Sequence, residues 1–219
     1  MSVPAEKQAT RQRVEPFNRQ REVIYGLAWI AAGLLLGVFS KFVDPPPPAW
    51  AASGLQTFIS DITSGFGIWI LLGTIVSVYA QRPGSAALVT PLFFFAMLLS
   101  YYTFSLYFYH FYIGYVVRGW SIMALLTIVA GYFVWYAKGE GLLSIVCAAV
   151  PVGLLVAHAL PTYSNYKLSY LLDLVFALVL ILVVQRETKP RLQTAVIGIL
   201  LGGLLTLIPF YSIVFGALL

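Results

Sequence analysis

Apolar runs long enough to matter to a bilayer alternate along this chain with short polar breaks. Residues 23–42, 64–79, 86–107, 119–136, 142–160, 168–184 and 192–219 are each dominated by Leu, Ile, Val, Phe, Ala and Gly. A helix needs about 20 apolar residues to cross a hydrocarbon core about 30 Å thick, so the pattern predicts an all-α, polytopic transmembrane bundle of about seven spans. Residues 64–79 are the shortest run and reach span length only by beginning inside the preceding segment. The breaks at 81–85 (QRPGS), 138–141 (KGEG) and 185–191 (QRETKPR) are too short for anything but tight turns. Residues 65–115 therefore form a hairpin of two spans, the second ending in the aromatic stretch YFYHFYIGY. Pro91 lies near the start of its run, where a missing N–H donor costs least, and Pro151 with Gly153 predicts a kink in the fifth span. Pro45 to Pro48 cannot be helical and predict an extended polyproline segment. Residues 50–62 read as an amphipathic segment at the interface, anchored by Trp50, Leu55, Phe58, Ile59 and Ile62. The organisation is a basic tail over 1–22 and one transmembrane domain over 23–219, with an extracytoplasmic Pro-rich and interfacial segment at 45–62.

Composition supports lipid as the solvent. Hydrophobic residues make up 60% and charged residues 10% of the 219, with a mean hydropathy of +0.89, where soluble domains carry about 25% charge. Placement of the basic residues sets the orientation. Lys7, Arg11, Arg13, Arg19, Arg21, Arg82, Lys138, Arg186, Lys189 and Arg191 fall on the N-terminal side of the alternating spans, against Lys41, Arg118 and Lys167 on the other. The positive-inside rule then predicts a cytoplasmic N-terminus and, with seven spans, an extracytoplasmic C-terminus. The same placement accounts for the net charge of +5 and argues against a nucleic-acid interface, which needs a basic stripe. Cys147 is the single cysteine, so neither an intrachain disulfide nor a cysteine metal site is available. The polar start, with no convincing small-residue cleavage site after the first run, argues against a cleavable signal peptide. The expected location is a cell membrane, multi-pass.

With that orientation, the polar residues collect at the extracytoplasmic ends of the spans. Lys41, Asp44 and Asp61 follow the first span, and His110 and Arg118 lie between the third and fourth. His158 ends the fifth, Asn165 and Lys167 occupy the next loop, and Asp173 stands just inside the sixth. Asp173 is the most informative of these. A carboxylate inside a span costs roughly 2.5–3.5 kcal/mol at the centre and less near an end, so it must face the bundle and find a partner among Lys41, Lys167 and His158. Tyr107, Tyr109, Tyr112, Tyr115, Tyr163, Tyr166 and Tyr170 surround this mouth. Tyrosines form belts at membrane interfaces, but these are more than a belt needs, and an aromatic-lined pocket for a flat ligand or a cation is the alternative. The candidate ligand-binding residues are therefore Asp173, His158, Tyr170, Lys167, His110 and Tyr107. A second candidate surface lies on the first span, where Ala28, Ala32, Gly33 and Gly37 form small-xxx-small pairs that let another helix approach closely, either within the bundle or from a partner protein. No HExxH, GxSxG, Walker A or GxGxxG motif is present, and no cofactor or metal is expected.

The segments LLLGVFSKFVD, GIWILLGTI and RPGSAALVTPLFFFAMLLSYYTF, spanning residues 33–104, resemble a family of small bacterial multi-pass membrane proteins. That resemblance implies a bacterial inner or plasma membrane and supplies no activity. The chain's size and the Ala28–Ala32 pair are similar to substrate-binding components of energy-coupling-factor transporters. This second likeness implies a small-molecule pocket near the outer face, docking to a transporter module through the first helix, and six spans rather than seven. The seven-span topology also resembles the membrane hydrolase superfamily of alkaline ceramidases and progestin/adiponectin receptors. That family's zinc site implies several histidines, including a pair in the last helix. This chain has two, His110 and His158, neither in its last span, so the likeness is one of topology alone. The function expected is a small-molecule binding or transport component. The alternatives are a structural or assembly subunit with no ligand, using the first span to reach a partner, and an intramembrane enzyme.

Overall fold

The computed structural model describes residues 18–44, 54–160, 171–185 and 187–207, all of them helix, turn or loop. Eight α-helices follow in chain order: α1 (Arg19–Val43), α2 (Gly54–Ser64), α3 (Gly67–Tyr79), α4 (Pro83–Phe104), α5 (Gly114–Val134), α6 (Gly141–Ala159), α7 (Leu171–Val184) and α8 (Thr188–Leu205). A π-helical turn, Ser105–Tyr109, extends α4, and a 3-10 turn, Trp135–Lys138, extends α5. Local chemistry sets several of the ends. Asn18 caps α1 by accepting from the Arg21 N–H at 3.1 Å, and Pro83 opens α4 where its missing donor would be unpaired anyway. Gly141 adopts φ +81 at the turn into α6, a conformation open to glycine. α6 then runs unbroken through Pro151.

Among the described residues, four helical stretches are long and apolar enough to cross a membrane: Arg19–Val43, Pro83–Tyr109, Gly114–Lys138 and Gly141–Ala159. A fifth is made by α2 and α3 together, which bend by 50° at their junction. Four to five of the about seven crossings predicted from the pattern are thus long and apolar enough among the described residues. α7 has 14 described residues, and α8 spends its first turn on Lys189, Pro190 and Arg191. Residues 54–62, part of the segment expected to lie at the interface, form the first arm of the bent pair. Gly65 N–H closes α2 on the Asp61 carbonyl at 3.1 Å, and the Phe66 carbonyl opens α3 by accepting from Trp69 and Ile70.

The bundle is two helix groups held together by α3. In the first group α4 is central. α1 lies on it through Gly33 and Gly37, where even a methyl group would overlap the Phe93 and Met97 carbonyls. α5 meets it at Gly131, whose Cβ would stand 2.9 Å from the Ala86 carbonyl. In the second group α6 is central. α8 packs on it through Gly198 and Gly202, whose side-chain positions are filled by Val152 and Val156, and α7 lies alongside. Backbones this close maximise dispersion contacts, which substitute in lipid for the missing hydrophobic drive. α3 contributes Trp69 and Val76 to the first core and Leu71 and Val78 to the second. It is apolar all round because it is covered all round. By contrast α1 buries only Gly33, Gly37, Ser40 and Val43 and exposes Leu27, Leu35 and Phe42, the stripe expected of a helix that faces lipid on its other sides.

Where α1 begins, the bundle is latched by backbone-directed bonds. Tyr25 Oη donates to the Val76 carbonyl at 2.6 Å, Trp135 Nε1 to Ala80 at 2.8 Å, and buried Gln185 Nε2 to Ala137 at 3.0 Å. The opposite end, where α1 and α6 finish and α3 and α7 start, holds the side-chain chemistry.

The α1–α4 contact makes a direct prediction. Gly37→Ala lowers the apparent melting temperature in detergent, because its Cβ meets backbone that cannot rotate away. Gly203→Ala, where a Cβ meets nothing within 4 Å, leaves stability unchanged or raised by the helix propensity of alanine, about 0.5–1 kcal/mol. Equal effects from the two would refute the close approach.

Candidate functional site

α6 ends on His158 and α7 begins near Asp173, so an antiparallel neighbour pair brings them together at the far end of the bundle. His158 Nδ1 lies 2.5 Å from Asp173 Oδ2. With the carboxylate ionised it can only accept, and Nδ1 then donates. Asp173 is 4% exposed, and burial of a charge at that level requires a partner. Of the three partners expected from the sequence, His158 is the one in contact. Lys41 is engaged elsewhere, and Lys167 lies outside the described residues.

The helix break is built around this pair. The Asp173 carboxylate occupies the space where a side chain on Gly67 would begin, which places a negative charge at the N-terminus of α3, where the helix dipole favours it. The Phe66 ring, in the break itself, stands edge-on to the His158 ring at 5.9 Å and against Trp120 of α5 at 5.0 Å. One bend therefore touches α5, α6 and α7.

A second polar cluster joins α1, α2 and α4. Asp44 pairs with Lys41 Nζ at 2.8 Å, accepts from Tyr101 Oη at 2.7 Å, and accepts a longer bond from Ser60 Oγ at 3.4 Å. The Lys41 ammonium also stands 5.1 Å from the Tyr101 ring centre and 5.3 Å from that of Tyr109, within cation–π range. This carboxylate is fully paired.

Between the two clusters lies a cavity of about 240 Å³, bounded by Ser40 of α1, Thr63 of α2, Trp69 of α3, Tyr101 and Tyr102 of α4, and Trp120 of α5. Its polar groups are mostly spent. Trp69 Nε1 donates to the Thr63 carbonyl at 2.8 Å, and Thr63 Oγ1 donates back into α2. Tyr101 Oη is held by Asp44. Ser40 is the exception: the residue is 4% exposed and its hydroxyl has no hydrogen-bond partner among the described residues.

The sequence candidates therefore separate. His158 and Asp173 come together. Tyr170 and Lys167 lie outside the described residues. His110 and Tyr107 are exposed on a separate shallow depression with Thr103 and Leu106, because the π turn and the left-handed His110, φ 51, carry that segment away from the α6–α7 pair. Gly33 and Gly37 are consumed by α4, Ala32 is half-buried and Ala28 is exposed. Sequence reasoning missed Ser40, Phe66, Gly67, Trp69, Tyr101, Tyr102 and Trp120. One signal for Ser40 was present: it continues the Gly33, Gly37 stripe at helical spacing and is the polar position on it. Among the described residues no group of three His, Cys, Asp or Glu side chains is placed to hold a metal.

Removing one member of the buried pair strands the other. His158→Leu should cost about 3–5 kcal/mol, read as loss of thermal or denaturant resistance. The double variant His158→Leu/Asp173→Leu should recover a large part of that loss. Additive losses would show that the pair is not coupled. No protein-family model, curated protein or solved structure matches this chain.

Proposed function

We propose that this protein is a multi-pass membrane protein of seven crossings with a cytoplasmic N-terminus, and that it binds a small molecule at its extracytoplasmic end as a binding or transport component. The cavity beside the α2–α3 bend carries this reading: an apolar bundle spends an interrupted helix, a buried ion pair and an unpartnered buried hydroxyl on one end. Interrupted helices at membrane depth are tolerated where they are buried in protein or line a cavity, and buried ionisable groups in such bundles mark functional sites more often than scaffold. The basic residues Arg82, Lys138, Lys189 and Arg191 support the orientation, since they lie at the end opposite the cavity. Large apolar side chains exposed along α1, α5 and α8 support lipid as their surroundings.

The assembly-subunit reading loses its main support because the Gly33–Gly37 face is occupied by α4.

Two measurements test the proposal. In a Cys147→Ala background, a membrane-impermeant thiol reagent should label Tyr112→Cys in intact cells and Glu140→Cys only after permeabilisation; the reverse pattern overturns the orientation. In lipid nanodiscs, fractions of a small-solute extract should raise the melting temperature of the full chain, and Leu98→Phe, which fills the cavity, should abolish that rise. A protein indifferent to every fraction, or one whose response survives Leu98→Phe, refutes binding at this site.

A further inference from the structure

We infer that the cavity takes a small, flat, uncharged molecule that carries one hydrogen-bonding group directed at Ser40. This assignment rests on the small-molecule reading above and names the chemical class it would take. Charge decides first. None of the residues bounding the cavity is charged, and Asp44, the carboxylate bonded to Tyr101 of its wall, is held by Lys41, Tyr101 and Ser60 together. An anionic ligand would meet no free cation there and a cationic ligand no free carboxylate, and an unpaired charge moved from water into such a site is strongly disfavoured. Cation–π attraction to the Tyr101 ring is already taken by Lys41, whose ammonium would repel a second cation.

Shape decides next. Trp69, Tyr101, Tyr102 and Trp120 give the walls aromatic character, and Phe66 supports the Trp120 ring. Rings of this kind favour offset or edge contacts with another planar system. A dry cavity of about 150 Å³ holds one benzene, so about 240 Å³ suits a substituted ring or a small fused pair and is below the size range of drug-sized ligands.

Hydrogen bonding decides last. The Trp69 indole, the Thr63 hydroxyl and the Tyr101 hydroxyl are committed within the protein. Ser40 is nine-tenths buried, borders the cavity and has no partner among the described residues. A buried polar group without a bond is costly, so a ligand that completes it gains stabilisation there. A hydroxyl both donates and accepts, so an N–H, O–H or carbonyl on the ligand serves equally.

The probe is tritiated indole, measured by equilibrium dialysis against nanodiscs holding the full chain, with empty nanodiscs subtracted. Tryptamine, a cation, and indole-3-acetate, an anion, serve as competitors. Saturable binding at one site per chain is expected, with both charged analogues at least tenfold weaker than unlabelled indole. Ser40→Ala, a small change that a helix accommodates, should weaken binding about fivefold or more, and Leu98→Phe should eliminate it. Tighter binding of either charged analogue overturns the neutral class, as does indole binding that is unsaturable or indifferent to both variants. If the solute extract stabilises the protein but indole does not bind, the class assignment fails and the small-molecule reading stands. If neither has an effect, both fail.

Discussion

The constraint on which the far end of this bundle depends is the contact between the Asp173 carboxylate and the backbone at Gly67. The carboxylate fills the place of a side chain, so α3 can begin there only with glycine. The same carboxylate is held from the other side by His158 at 2.5 Å. Three helix ends (the start of α3, the end of α6 and the start of α7) are thereby fixed by one buried charge and its proton donor. A charge this deep is an expensive fastening if either partner is lost.

The knot also explains why α2 and α3 are separate helices. The 50° bend turns α2 toward α1, where Ser60 reaches Asp44 and Thr63 borders the cavity. Phe66 then bridges Trp120 and His158, so the wall of the cavity and the buried ion pair share a ring. At the other end Tyr25, Trp135 and Gln185 each bond to a backbone carbonyl.

Much of the helical layout was legible in the chain. The tight turns after Tyr79 and Lys138 fall where the pattern of apolar runs put them, although α4 begins at Pro83, inside the expected 81–85 break. Asp173 stood out by its energetic cost alone, and His158 was among the partners that cost required. Other features were not legible. The aromatic stretch around Tyr107 and His110 looked like the mouth of a site, yet those two residues line a separate depression while Tyr109 stands against Lys41. The glycines of α1 signalled close approach without saying to what; α4 is what approaches. Tyr101 and Trp69, which border the cavity, read as two more aromatics in apolar runs, because periodicity marks which face is buried and not which side chains meet across it.

The sequence by itself determined that the chain is helical, that several of its helices are apolar enough for a membrane, and that a carboxylate at 173 needed a partner. Each follows from local composition and from the cost of exposing peptide groups or charge to hydrocarbon. Only the tertiary structure decided that α3 is the shared core of two helix groups, that Lys41 belongs to Asp44 while His158 belongs to Asp173, and that Ser40 is left with an unanswered hydroxyl. Those outcomes depend on which helices become neighbours, and that is set by the summed fit of small residues against facing backbone along α1–α4 and α6–α8, a property of pairs of helices that no single segment carries.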